Sequence, residues 1–141
     1  MTTTERTFGI EIEAKGISRG DAAVALRAAG IDARIEGYHH QTTTNWKVIT
    51  DASVPDGFEV VSPILQGAAG LDEARRAMAA LEGAGAKVDK TTGLHVHFGA
   101  RDLSAAEIAM VAQRYARFED EIDAWMAPSR RGNENTYCRS L

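Results

Sequence analysis

The stretch 7-TFGIEIEA-14 alternates without a break, with Phe8, Ile10 and Ile12 on one side and Gly9, Glu11 and Glu13 on the other. Successive side chains of a β-strand point to opposite faces, so the pattern predicts a strand with an apolar face against a core and an acidic face turned away from it. The two carboxylates leave the strand on the same side, about 6.7 Å apart along it. Like charges so placed repel unless a cation lies between them, and a pair at this spacing can share one divalent ion or hold two. Taken alone, the pair also fits a solvated outer face, so what the rest of the chain sends to that face decides the reading.

Two further stretches alternate in the same sense. In 57-GFEVVSP-63, Glu59 lies between apolar Phe58 and Val60, and Pro63 ends the strand. In 93-GLHVHF-98, Leu94, Val96 and Phe98 alternate with His95 and His97. An isolated His-x-His pair is as readily a satisfied structural feature as a ligand pair. Three strands that each send carboxylate or imidazole to the side opposite their apolar residues are harder to assign to chance. Carboxylate oxygens suit Mg²⁺ or Mn²⁺, and an added imidazole shifts preference toward Mn²⁺ or Zn²⁺ while still permitting Mg²⁺. Such ions commonly bridge protein carboxylates and phosphate oxygens, which makes a nucleotide a natural companion.

Between these strands the spacing predicts a helix over 19–29, carried by Ala22, Ala25, Leu26 and Ala29 and stopped at Gly30. Strands follow over 31–36 and 45–50, separated by the polar turn GYHHQTTT. A second helix covers 71–82 with Leu71, Ala74, Met78 and Leu81 as its stripe, and a short strand covers 86–89. Ser104 and Glu107 form a capping box that opens a last helix, in which Ile108, Val111, Tyr115, Phe118, Ile122 and Trp125 recur at helical spacing and read as core. Strands interspersed with helices admit a parallel α/β sheet or an antiparallel α+β one. The polar-faced strands favour the antiparallel form, because strands covered on both sides read as continuous apolar runs.

At 141 residues the chain can bury a core without a disulfide or a structural metal, so an ion, if bound, serves function. The formal charge of −4 offers no basic stripe for nucleic acid. One cysteine, Cys138, and the lack of a long apolar run point to a reducing, cytoplasmic setting with no membrane span. Other His-x-His chemistries lack a ligand or the length. The metallo-β-lactamase pattern needs Asp-His after the pair, a two-histidine phosphodiesterase needs a second motif, a cupin needs a Glu soon after, and an amidohydrolase barrel needs a far longer chain. A zinc hydrolase built on His95, His97 and Cys138 has no ligand spacing behind it. The pair Arg130–Arg131, with Asn133, Asn135 and Tyr137 nearby, supplies forked donors for phosphate or carboxylate, although such a segment is more often a solvated loop.

Taken in order, FGIEIE, WKVITDASV, FEVVSPIL, GLHVHF and SRRGNENTYC resemble the amidoligase family, carboxylate–amine ligases related to glutamine synthetase and glutamate–cysteine ligase, over residues 7–138. The resemblance implies an α+β fold with a curved, mainly antiparallel sheet and helices on one face. The concave face would hold two or three Mg²⁺ or Mn²⁺ ions between protein carboxylates and ATP. It further implies activation of a carboxylate as an acyl phosphate and displacement of phosphate by an amine. On this basis Glu11, Glu13, Glu59 and His95 fall to the nucleotide, and Glu11, Glu13, Glu59 and His97 to the metal, with His97 preferred over His95 as the ligand or phosphate contact. Arg130, Arg131 and His97 fall to catalysis, and Asp51, Ser53, Asn133 and Tyr137 to small-molecule, peptide or protein substrates. Family members continue past the Asn-x-Tyr-Cys segment, whereas this sequence ends at Leu141. The expectation is therefore a flexible tail over 1–6 and a single domain over 7–141 that is short at its C-terminus. Such a domain is completed by a second copy or another chain, or else is a metal- or ligand-binding module without catalysis.

Overall fold

The alternation of residues 7–15 produces β1 (Thr7–Lys15), the strand about which the sheet is built. In the computed structural model, which describes residues 5–131 and 139–140, β1 pairs antiparallel with β4 (Gly57–Val61), β5 (Leu65–Gln66) and β6 (Leu94–Phe98). Glu11 pairs with both Val61 and His95, and Phe8 with both Leu65 and Phe98, so β4 and β5 lie along one side of β1 and β6 along the other. Outward from β4 come β3 (Trp46–Ile49), antiparallel to it, and β2 (Ala33–Ile35), parallel to β3. The result is an open six-stranded sheet, mostly antiparallel, within a mixed α+β architecture. Two compact units divide the chain, Met1–Gly99 and Ala100–Leu141.

The Ser-Pro that ends the β4 stretch has a structural reason. Between the last β4 pair and the first β5 pair, the three residues Ser62, Pro63 and Ile64 oppose only Gly9 and Ile10, which is a β-bulge. Pro63 has no N–H to offer there. Instead the Ser62 Oγ accepts the Ile10 N–H at 2.9 Å and itself donates to the Pro63 carbonyl at 2.8 Å, so the disrupted ladder leaves Ile10 satisfied.

The apolar face of the sheet carries Phe8, Ile10, Ile12, Trp46, Val48, Phe58, Val60 and Leu65, and two helices cover it. α1 (Arg19–Ala28) is opened by a Ser18–Asp21 capping box and buries Ala22, Ala23 and Leu26. α2 (Gly67–Gly83) buries Ala74, Ala77 and Leu81, while Leu71 and Met78, expected in its stripe, are 45% and 43% exposed. Small side chains face inward because the helix lies close to the sheet. A Cβ on Gly70 would stand 2.9 Å from the Leu65 Cβ, and α2 accordingly begins a turn earlier than the apolar spacing indicates. Trp46, 1% exposed, satisfies its indole N–H by donating to Glu73 Oε1 at 2.7 Å. The expected strand at 86–89 is reduced to a single bridge between Lys15 and Lys87.

In the second unit the Ser104–Glu107 capping box is formed and opens α3 (Ala105–Arg117). The helix expected to run on to Trp125 breaks at Phe118, and α4 (Glu119–Asp123) and a 3-10 turn (Pro128–Arg130) follow. No α3 residue is buried, and Ile108, Val111, Tyr115 and Phe118 are 45–58% exposed. Helical spacing defines an apolar face but not its cover. No helix among the described residues is long and apolar enough to cross a membrane.

Candidate functional site

The register of the sheet sets the functional side chains in rows on the face away from α1 and α2. One row runs Lys47, Val61, Glu11, His95 from β3 across β4 and β1 to β6, and the next runs Ile49, Glu59, Glu13. Gly93 extends the second row: the Glu13 N–H donates to its carbonyl at 3.0 Å, and the Gly93 N–H donates back to Glu13 Oε2 at 2.6 Å. The predicted alternation thus places all three glutamates and both histidines on one face. A one-residue slip would have turned them into the core.

Local turns bring a further acid and leave room for two candidate ligands. After β3, Asp51 Oδ1 accepts the Ser53 N–H at 2.7 Å, an Asx turn that fixes the carboxylate near Glu59 and Glu13. The Asp-x-Ser motif, read from sequence as a substrate-side turn, therefore contributes an acid through Asp51 and a main-chain N–H through Ser53. Gly93 leaves space where a side chain would intrude. A Cβ there would lie 3.1 Å from His95 Nε2 and 3.3 Å from the Glu13 carboxylate.

His95 stands between carboxylates, its Nδ1 3.0 Å from Glu11 Oε2 and its Nε2 3.8 Å from Glu13 Oε1. His97 Nε2 lies 3.2 Å from the same Glu11 oxygen. With its proton on Nδ1 and donated to Glu11, His95 keeps the Nε2 lone pair for an ion. Ligand atoms of Glu11, Glu59 and His95 all lie within 4.8 Å of one another, and so do those of Glu13, Asp51 and Glu59. The two groups share Glu59. His95 rather than His97 enters the tight grouping, the reverse of the sequence preference, because its position across from Glu11 faces the acids on both sides.

The electrostatics of the acids diverge although they sit together. Burial pushes the Glu59 carboxyl up, and the charges of Glu11, Asp51 and Glu13 push it further, to about 7. Burial also pushes Glu11 up, but hydrogen bonds from His95 and His97 outweigh it and hold Glu11 below the ordinary 4.5. Crowding among acids therefore raises Glu59 but not Glu11, where the imidazoles supply the compensation. The cluster combines an acid kept ionised with one that holds its proton near neutrality.

Arg130 and Arg131 belong to the second unit, Arg130 closing the 3-10 turn and both half-buried. Asn133, Asn135, Tyr137 and Cys138 lie outside the described residues. Leu94, Val96 and Phe98, on the other side of the histidine strand, are 49–61% exposed.

Sequence reasoning did not assign a place in the site to Gly93 or Lys47. The alternation of WKVI, with Trp46 and Val48 in the core, was the available signal for Lys47. No curated protein and no solved structure matches the chain. A family model described as "Putative amidoligase enzyme" matches residues 4–141. An acidic sheet face assembled by the motifs of this family, and a match that spans nearly every residue, leave no part of the assignment to a single motif: the chain belongs to the amidoligase family.

Proposed function

We propose that the chain is an ATP- and divalent-metal-dependent carboxylate–amine ligase that forms an amide through an acyl phosphate. The observation that carries this reading is the convergence of Glu11, Glu13, Asp51, Glu59 and His95 on one sheet face, in two groups that share Glu59. Four carboxylates and one imidazole fit Mg²⁺ or Mn²⁺, and two overlapping ligand sets fit a pair of such ions. Glu11, Glu59 and His95 would hold one ion and Glu13, Asp51 and Glu59 the other; when bound, they neutralise the charge of the transferring phosphoryl group.

The chain's own groups prepare this. The His95 and His97 hydrogen bonds keep Glu11 ionised, and Glu59 gives up its proton when positive charge arrives beside it. Gly93 holds the Glu13 carboxylate in position through its N–H. Arg130 and Arg131 take the role that family membership suggests, donors to a substrate carboxylate or to the phosphoryl group. The γ-phosphoryl passes from ATP to a carboxylate oxygen, leaving ADP. The amine nitrogen then attacks the acyl carbon and loses a proton as the bond to phosphate breaks, giving amide and inorganic phosphate.

The test is ADP release by the purified chain with Mg²⁺ or Mn²⁺ and mixtures of amino acids or peptides. Release is expected only when acid, amine and metal are all present. Protein that binds Mn²⁺ but neither binds ATP nor forms ADP with any mixture would overturn the ligase reading.

A further inference from the structure

Lys47 is 4% exposed, yet it stands on the acidic face, in the row of Val61, Glu11 and His95. Its Nζ donates to two neutral acceptors of one loop, the carbonyls of Gln41 at 2.9 Å and His39 at 3.3 Å. Among the described residues it forms no ion pair, and the third ammonium proton has no acceptor. A buried cation that shares a sheet face with a carboxylate cluster, yet pairs with none of its members, is costly unless something else uses the charge.

The loop has anchors besides the lysine. Glu36 anchors it independently, with Oε2 2.6 Å from His39 Nε2 and Oε1 accepting from Asn45 Nδ2 at 2.9 Å. Thr43 adds a bond from its hydroxyl to the Asn45 carbonyl at 2.8 Å. The charge of Lys47 reaches Glu36 only as a minor influence on that carboxyl, behind its Asn45 and His39 bonds.

We infer that Lys47 is a phosphate-binding residue of the acidic face, the His39 and Gln41 carbonyls occupying the donors that phosphate oxygens take when a ligand is bound. A compact ammonium acts on phosphate as a point charge, whereas a planar carboxylate is better matched by the fork of arginine, and β3 carries lysine here. Two strand spacings, about 10 Å, separate the β3 and β1 backbones, a span that a phosphate chain beginning at Glu11 and a lysine side chain reaching inward can close together. The inference rests on the ligase reading and adds a cationic contact to it.

Calorimetric titration of the full chain with tripolyphosphate, ATP and glutamate, each in saturating Mg²⁺, tests this in wild type, Lys47→Met and Lys47→Arg. Mn²⁺ binding is followed in parallel by electron paramagnetic resonance. Lys47→Met is expected to weaken tripolyphosphate tenfold or more, leave Mn²⁺ affinity within twofold and leave glutamate unchanged, while Lys47→Arg retains most of the phosphate affinity. An equal loss for ATP identifies the nucleotide tail as the source of the phosphate; a loss for tripolyphosphate alone supports phosphate binding from another source. Unchanged tripolyphosphate and ATP binding in Lys47→Met overturns the inference and leaves the ligase reading standing. Wild type that binds Mn²⁺ but neither phosphate compound overturns both. Should Lys47→Met not fold, the Nζ resonance of Lys47 in wild type decides, because it must shift on saturation with tripolyphosphate and an unmoved resonance refutes the contact.

Discussion

Replacing Glu59 with glutamine should stabilise the metal-free protein while removing the proposed metal site. Glu59 is 7% exposed and its carboxyl is raised from 4.5 to about 7 by burial and by Glu11, Asp51 and Glu13. In the unfolded chain the group loses its proton near 4.5, but in the folded chain it keeps it until about 7. Between these values the unfolded state binds fewer protons, so stability falls as pH rises through the window and stays lowered above it. With one pKa unit worth about 1.4 kcal/mol, the deficit at pH 8 is about 3 kcal/mol. Glutamine carries no charge at any pH and escapes it. Urea denaturation in EDTA from pH 4 to pH 8.5 should therefore show Glu59→Gln and wild type converging at the acid end and separating to about 3 kcal/mol at the alkaline end, on the order of 10 °C in Tm. Mn²⁺ added at pH 8 should raise wild-type stability by linkage and leave the variant much less affected. A variant no more stable than wild type at pH 8, or a gap that does not change with pH, would refute the claim that Glu59 is held among like charges.

Glu11→Gln removes an acceptor that the two imidazoles keep ionised, so Mn²⁺ affinity should fall tenfold or more while the urea midpoint at pH 7 changes little; unaltered Mn²⁺ binding would leave the histidine strand structural. Gly93→Ala should push His95 and the Glu13 carboxylate off their positions, weakening Mn²⁺ binding with only a small loss in Tm, and full Mn²⁺ affinity would show that the space beside Gly93 is not needed. Ser62→Ala leaves the Ile10 N–H without its acceptor at the bulge and should cost about 1–3 kcal/mol in urea denaturation. Because Glu59 must lose its proton for an ion to bind, Mn²⁺ affinity should rise between pH 6 and pH 8 in wild type and lose that slope in Glu59→Gln, as titration at several pH values would record.

The sheet was legible in the sequence because its strands carry two faces of different chemistry. Phe8, Ile10 and Ile12 alternate with Glu11 and Glu13, and the same contrast marks Glu59 and the histidine strand, so each could be assigned a face without knowledge of its neighbours. The parallel pairing of β2 with β3 has no such mark, since three residues with one buried side chain do not encode direction. The apolar spacing of α2 was right in part. Ala74 and Leu81 are buried with Gly70 and Ala77, whose lack of bulk lets the helix lie close to the sheet, while the larger Leu71 and Met78 face outward. Size and burial separate wherever backbones approach closely, and hydropathy reads size.

The site shows the same division between what alternation encodes and what turns encode. The three glutamates and two histidines could be named from spacing because a strand fixes which side a residue occupies. Asp51 and Gly93 join the grouping through conformations that spacing does not describe: an Asx turn that aims one carboxylate, and a glycine that leaves space for His95 and the Glu13 carboxylate. The unequal acids follow from this arrangement. Glu11 faces β6, where imidazoles donate to it, and stays ionised; Glu59 lies among Glu11, Asp51 and Glu13, where burial and negative charge outweigh the influence of His95, and holds a proton. Two chemically identical side chains on neighbouring strands thus differ in charge near neutrality because one has donors across from it and the other has acids. An ion placed among them would change most at Glu59, the residue common to both candidate groups, so occupation of the proposed site would couple to the stability of the sheet through that position.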